Sequence, residues 1–335
     1  MSRLNGLLEE RVILGRRVLV TGASGLLGRH LVPQLLARGD EVIALSRRAR
    51  LPWVEGSDVE VRQGDLREPK SIAAAVKGCD AVIHAAAELF DRQQMRATNV
   101  NGMANLLEAL SGHVAHLVMI SSVGVIGPGR GRISEDTACH PTSEYEATKL
   151  EAEQLALEFS HRSGMPVTVV RPTNVFGERE ATGHPDSFAA LLRAIESRRF
   201  VYFGRGAVAN YVYAGDVADA CITTGVRSVR GIVHVNDPCP LEEFIAAASD
   251  ALAVSRPSFR IPKSVAYVAA AVLQLAGALT GRRPPLTVNR VRALTSETIY
   301  VSDRIPNELA WRPRYGHREG LRRTVAHYRR IGSLP

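Results

Sequence analysis

The chain has 335 residues, 45% of them hydrophobic and 23% charged, with a formal net charge of +8. Such a length buries a full core, as one large α/β unit or two domains sharing a cleft, and the composition excludes a disordered chain or a multi-span membrane protein. The basic surplus permits an anionic partner, yet Arg47-Arg48, Arg198-Arg199, Arg282-Arg283 and Arg322-Arg323 stand far apart without interleaved aromatics, so no nucleic-acid partner is expected.

Residues 1–17 carry charges among their leucines and lack the continuous apolar core of a signal peptide, so they read as a short lead-in helix or arm. From there, β-branched runs at 18–20, 41–45, 59–61, 81–84, 117–121 and 167–170 read as strands. Amphipathic stretches at 26–36, 71–76, 99–110 and 145–159 read as the helices between them. This βαβα alternation predicts an α/β chain with a Rossmann-like, doubly wound parallel sheet. Pro33 is expected to kink the first helix while leaving its N-terminal turn intact.

Gly22, Gly25 and Gly28 fall between the first strand and the first helix in a G-x-x-G-x-x-G spacing. Glycine suits a tight turn and lets backbone approach a pyrophosphate, while the free N–H groups and dipole of the next helix favour negative charge. Ser24 adds a hydroxyl donor. The second strand ends in Leu45-Ser46-Arg47-Arg48, where a dinucleotide fold that prefers NAD places an acid to accept the adenine ribose hydroxyls. An acid repels the 2′-phosphate of NADP and a guanidinium binds it, so Ser46, Arg47 and Arg48 point to NADP, with NAD as the alternative. Gly64-Asp65-Leu66 follows the third strand, where Asp65 is placed to bond the adenine amine. The small residues Ala85, Ala86 and Ala87 after His84 leave room for a cofactor.

Ser122 ends the fifth strand, and 23 residues on, Tyr145 and Lys149 stand at i and i+4, which a helix brings to one face. The three suit proton transfer at a substrate oxygen: Tyr145 as general acid or base, Lys149 stabilising its tyrosinate, Ser122 orienting the carbonyl or alcohol.

After Arg171-Pro172 the alternation weakens into turn-rich pieces such as 178–186 and 204–209, and the substrate side is expected there. A strand at 232–235 is expected to rejoin the sheet. The division is therefore a dinucleotide-binding region at 1–172, with 210–237 rejoining it, and a smaller, interleaved substrate region at 173–335. The uncharged stretch 264–280 is short for a bilayer span, and the favoured reading is a buried or cleft-lining helix rather than one seated on a membrane. Cys79, Cys139, Cys221 and Cys239 form no CxxC pair, so neither a metal site nor a disulfide framework is expected, which fits a reducing cytoplasm.

In combination these motifs resemble the extended short-chain dehydrogenase/reductase superfamily. They are the glycine turn, Gly64-Asp65-Leu66, the 84–87 strand end, Asn99-Val100-Asn101-Gly102, Ser121-Ser122 through Gly127, the Tyr145 to Lys149 pattern, Arg171 to Gly177 and 211–216. The resemblance implies Ser122, Tyr145 and Lys149 as the catalytic set, Lys149 also bonding the nicotinamide ribose, and Asn99 as a structural or active-site polar residue. Added to the residues above, it gives cofactor contacts at Gly22, Ser24, Gly25, Leu26, Leu27, Gly28, Ser46, Arg47, Arg48, Asp65, Leu66, Ala85, Ala86, Ala87, Asn99, Tyr145, Lys149, Pro172, Asn174 and Val175. Substrate contacts are expected at Glu88, Val123, Asn174, Phe176, Arg205 and Tyr211. Relatives also imply a homodimer through the helices near Asn99 and Tyr145.

Two departures bear on the substrate. Ile126 stands where many members carry tyrosine, and Asn210 where sugar-nucleotide enzymes commonly present an arginine to a diphosphate, with Arg205 as a substitute. The proline-led apolar segment 261–279 is more like the 3β-hydroxysteroid dehydrogenase and dihydroflavonol reductase branch, and a lipophilic substrate can use such a helix as a pocket wall. The resulting expectation is a soluble NADP-dependent reductase of a bulky apolar ketone. A nucleotide-sugar epimerase, dehydratase or 4-ketoreductase is the alternative, and a non-catalytic NADP-binding subunit the third.

Overall fold

The computed structural model describes residues 15–334 apart from 111–113, 181–185, 282–283, 285 and 303. Most of the expected N-terminal arm and part of the 178–186 turn region therefore lie outside the described residues.

Seven parallel strands form the central sheet: β1 (Arg17–Thr21), β2 (Glu41–Ser46), β3 (Val59–Gln63), β4 (Ala81–His84), β5 (His116–Ile120), β6 (Val167–Pro172) and β7 (Gly231–Val235), in the spatial order β7-β6-β5-β4-β1-β2-β3. The order reverses at β1 and β4, whose carboxyl ends diverge and open the crevice in which such sheets bind ligands. Buried on both faces, the inner strands read as runs of Val, Ile and Leu rather than as alternations, whereas the edge strand β3 alternates, as Val-Glu-Val-Arg-Gln, and has no fully buried residue.

The helices of seven residues or more are α1 (Gly28–Ala37), α2 (Pro69–Val76), α3 (Gly102–Ala109), α4 (Glu144–Ser163), α5 (Ser187–Glu196), α6 (Ala214–Val226), α7 (Leu241–Leu252), α8 (Lys263–Thr280), α9 (Val288–Leu294) and α10 (Gly316–Arg330). On one sheet face Leu31 and Leu35 of α1 meet Val217, Ala218 and Cys221 of α6; on the other, Ile72, Met103, Leu106, Ala152 and Ala156 seal the sheet. α1 runs through Pro33 without a break. The expected helix at 99–110 resolves into a short helix Arg92–Arg96, a π-helical turn Ala97–Asn101 and then α3. A π turn inside a helix is costly and is found mostly where a side chain must be re-aimed for function.

Beyond β6, a third core of aromatic rings joins α5, α7 and α10. It is tied to the sheet by the parallel ribbon Asn174–Phe176 with Tyr211–Tyr213 and by β7, which pairs with β6 from Gly231 opposite Thr168 to Val235 opposite Pro172.

One expectation is corrected here. The apolar segment 264–280 does form a helix, α8, but not a buried one: only Ala266 and Ala270 are covered, while Val265, Val268, Val272, Leu275 and Leu279 are 52–80% exposed. Apolar composition alone does not say what covers a helix. Here Ala266, Ala270 and the half-buried Tyr267 face the protein, while the large aliphatic residues named above face out.

Candidate active site

The turn after β1 is built around three glycines with different tasks. The Thr21 carbonyl accepts from the Ala85 N–H at 3.2 Å and its hydroxyl oxygen from the Ala86 N–H at 3.2 Å, which stitches the ends of β1 and β4 together. Gly22 has a φ of +70°, and a Cβ there would lie 2.7 Å from the Ala86 nitrogen; at Gly28 one would lie 2.4 Å from the Ala23 backbone. Both positions exclude any side chain. Gly25 is exposed, and a Cβ there would meet only the Gly22 oxygen of its own turn, at 3.2 Å. Its face is open to an incoming group.

Past this opening, α1 begins with no side-chain cap and no acid in its first turn. The N–H groups of Leu26, Leu27 and Gly28 meet no acceptor among the described residues. Ser24 is exposed beside them. A cradle of open glycine and free donors at a helix N-terminus fits a dinucleotide pyrophosphate.

At the end of β2, the Ser46 hydroxyl accepts from the Arg48 N–H at 3.0 Å and the Arg47 carbonyl from Gln63 at 3.2 Å. The Arg47 and Arg48 side chains are exposed, and their guanidinium groups make no hydrogen bond or ion pair among the described residues. Asp65 is already engaged. The Arg67 guanidinium donates to it at 2.6 and 3.0 Å and, aided by the Arg67 backbone, outweighs burial to hold its carboxyl below the usual range. Leu66 is buried and its carbonyl accepts from Asn105 at 2.8 Å. Ala85, Ala86 and Ala87 are half-buried at the β4 end, against Gly22.

The π turn aims Asn99 inward. Its side-chain oxygen accepts from the Glu88 N–H at 2.8 Å, and its amide donates to the Glu88 carbonyl at 3.0 Å and to the Thr148 hydroxyl at 3.1 Å. Asn99 thus clamps the loop leaving β4 onto α4, one residue before Lys149. The Glu88 carboxylate accepts from the N–H groups of Leu89, Phe90 and Asp91; burial pushes its pKa up, but these bonds, with the Arg47 charge, outweigh it and hold the carboxyl below its usual range. It organises the loop around itself.

Tyr145 and Lys149 lie on the first turns of α4, whose start is fixed by a capping box: Glu146 N–H donates to the Ser143 hydroxyl and Ser143 N–H to the Glu146 carboxylate. Ser122, in extended backbone after β5, accepts from the Gly124 N–H at 3.0 Å. A methyl added at Gly124 would lie 3.2 Å from both Ser122 Oγ and the Glu146 carboxylate, so Gly124 is the joint that packs the Ser122 turn against the start of α4. Val123 is buried beside it.

Lys149 is buried and its Nζ donates to the Ile120 carbonyl at 2.6 Å. Burial lowers its pKa to about 8, with Glu153 pulling the other way. Burial, reinforced by the neighbouring Glu146 charge, raises Tyr145 to about 12, so this hydroxyl keeps its proton at ordinary pH and is set up as a donor. His84, whose Nδ1 lies 2.8 Å from the Thr21 hydroxyl, is pushed down to about 3 by burial and then by the Lys149 charge, and stays neutral.

Glu153 and Thr148 escaped the reading of the sequence. Glu153 forms a fully buried, two-pronged pair with Arg171, at 3.0 and 2.5 Å. Its signal was there: Tyr145, Lys149 and Glu153 recur every four residues on one face of α4. Thr148 carried no such signal, because its bond to Asn99 spans 49 residues.

The remaining expected residues are spread between cleft and core. Pro172 is buried at the end of β6; Asn174 is exposed, with its amide donating to the Asn210 carbonyl at 3.0 Å; Val175 is half-buried. Phe176 is 1% exposed and packs within the aromatic core against Phe188, Tyr213 and Phe244, while Tyr211 stacks on Phe244 at 4.7 Å. Both rings are committed to packing. Asn210 is buried and donates to the Thr298 carbonyl at 2.8 Å. Arg205 is exposed. Ile126 fills a small apolar cluster with Val125, Ile133 and Tyr300. No group of residues able to hold a metal ion occurs among the described residues.

The model of the NAD-dependent epimerase/dehydratase family matches residues 18–234. A 3β-hydroxysteroid dehydrogenase/decarboxylase isoform of Arabidopsis thaliana is 28% identical over 92% of this chain, which spans 61% of that longer protein. A ketoreductase of Stigmatella aurantiaca, acting on a 4-hydroxy-2-methyl-3-oxo-4-farnesyl-3,4-dihydroquinoline-1-oxide, is 29% identical over 91% of this chain and 94% of its own. Among solved structures, the UDP-glucose 4-epimerase of Thermus thermophilus in complex with NAD superposes with a TM-score of 0.69 at 27% identity, covering 93% of this chain and 99% of that one.

Proposed function

The chain belongs to the NAD-dependent epimerase/dehydratase family of oxidoreductases, and from that premise we propose that it is an NADP-preferring reductase or dehydrogenase of a bulky, largely apolar ketone or alcohol. The observation that carries the reaction is the pairing of a protonated Tyr145 with a buried Lys149 on one face of α4, packed through Gly124 against Ser122. A bound nicotinamide supplies or accepts the hydride. Tyr145 gives the substrate oxygen its proton, the Lys149 ammonium lowers the cost of the tyrosinate left behind, and Ser122 orients the carbonyl.

Preference for NADP is supported by Arg47 and Arg48, two exposed guanidinium groups that make no hydrogen bond or ion pair among the described residues, where an acid would favour NAD. The apolar substrate class is supported by the steroid and farnesylated compounds in the relatives' names, and by Asn210, whose amide is bound to the Thr298 carbonyl. A second reading, a nucleotide-sugar epimerase, draws on the exposed Arg205 and the UDP-glucose epimerase likeness. The two part on stoichiometry. The reductase consumes one NADPH per fused-ring or prenylated ketone reduced and leaves UDP-sugars untouched; interconversion of UDP-sugars with no net NADPH consumption would replace this reading with the epimerase.

A further inference from the structure

We propose that the outer face of α8 docks, lying flat, on an anionic lipid surface. The inference is independent of the catalytic assignment, because it rests on a face that carries no residue of the candidate active site.

The face is inverted relative to a surface helix of a soluble protein. Val265, Val268, Val272, Leu275 and Leu279 recur at alternating steps of three and four and fall within an arc of about 80° at 100° per residue. All five are more than half exposed, Leu279 reaching 80%. The opposite side presents Ala266 and Ala270 to Phe203 and Val291. Polar groups on the helix are turned away or satisfied locally: Gln274 accepts from the Val288 N–H at 2.7 Å and the Thr280 hydroxyl donates to the Ala276 carbonyl at 2.8 Å. Phe259, 66% exposed, stands just before the helix. A contiguous apolar stripe of this kind marks a surface that meets something apolar.

Charge identifies the occupant. Residues 251–296 hold seven Lys and Arg and not one Asp or Glu. Arg256, Arg260 and Lys263 are paired with Asp250, Glu242 and Glu297, while Arg290 and Arg292 are exposed on α9, and the sequence places two further arginines, at 282 and 283, directly after the helix. An apolar stripe followed by cations matches anionic headgroups above acyl chains. The same surplus disfavours a second copy, which would set like charges against like. At 18 residues α8 is about 27 Å long. Because one side stays packed on Phe203 and Val291, the helix lies along the surface rather than crossing it.

The test is co-sedimentation of the purified chain with vesicles of phosphatidylcholine, with and without phosphatidylglycerol, at low and high salt. The wild type is expected to bind the phosphatidylglycerol vesicles roughly tenfold or more tightly than the neutral ones, with the preference fading at high salt. Val268→Glu with Leu275→Glu abolishes binding, and Arg282→Gln with Arg283→Gln weakens it on anionic vesicles only. The α8 variant keeps the parent's melting temperature, since its substituted side chains are exposed. No wild-type binding, equal binding to both vesicles, or full binding by the α8 variant each overturns the proposal. So does a lipid-independent dimer that the α8 variant dissociates, which would make a second copy the occupant.

Discussion

Lys149 Nζ donates to the Ile120 carbonyl at 2.6 Å, which fixes the ammonium at the end of β5 one helical turn beyond Tyr145. Burial lowers this lysine from its ordinary value to about 8, so at neutral pH the folded chain carries a charge it would hold more readily when unfolded. The unfolded state binds the extra proton between pH 8 and 10.5, and stability therefore rises with pH across that window.

It follows that Lys149→Met loses activity yet is no less stable than the parent at pH 7. Relief of the buried charge, on the order of 2 kcal/mol, exceeds the roughly 1 kcal/mol cost of leaving the Ile120 carbonyl without its donor. Urea denaturation at pH 7 and pH 10 checks this: the stability gain shrinks at the higher pH, and a gain independent of pH would point away from the lysine charge.

Cofactor preference follows from β2. Ser46→Asp combined with Arg47→Gln places an acid where the 2′-phosphate would sit and removes a cation. The KM for NADPH is expected to rise roughly tenfold to a hundredfold while that for NADH falls or holds. Unchanged discrimination in steady-state kinetics would show that these residues do not read the phosphate.

Asn99→Ala removes three hydrogen bonds, leaving half-buried Glu88 backbone groups without these partners and the Thr148 hydroxyl with only its bond to the Tyr145 carbonyl. The expected cost is about 2–3 kcal/mol of stability together with a lower kcat, since the β4 loop is released from α4. Asn99→Asp, which keeps the acceptor but not the donors, is expected to fall between the two in thermal melts.

Acid lability follows from two buried imidazoles. Burial, seconded by nearby positive charge, holds His84 at about 3 and His116 at about 4, both below the unfolded value. Between pH 6.5 and 4 the unfolded chain takes up protons that the native one refuses, so stability falls as pH falls, by up to about 1.4 kcal/mol per pH unit per histidine. Stability measured at pH 7, 6 and 5 should drop progressively, and His84→Asn should flatten the decline.

The sheet and the Tyr145–Lys149 pattern were legible because they depend on local periodicity: β-branched runs of strand length and a four-residue step along a helix. Strand limits shifted by only a residue or two, as at β6, where Arg171 and Pro172 extend the expected run. What escaped depends on contacts distant in sequence. Phe176 and Tyr211 differ in no local feature from cleft residues and are claimed by an aromatic core that forms only when α5 and α7 pack on them. Composition made the α8 segment look like core or a cleft wall, but whether the fold leaves it a partner is decided by the elements around it. Asn99 was marked by its motif, while the π turn that aims it was not.

The most direct test of the account is the pair of numbers obtained from Tyr145→Phe: turnover of a bulky ketone with NADPH, and the Kd for NADPH by fluorescence. Loss of the phenol proton removes the donor and little else, so kcat is expected to fall by roughly a thousandfold, within the range of general acid catalysis, while the Kd stays within about threefold. Turnover close to that of the parent with intact cofactor binding would contradict it.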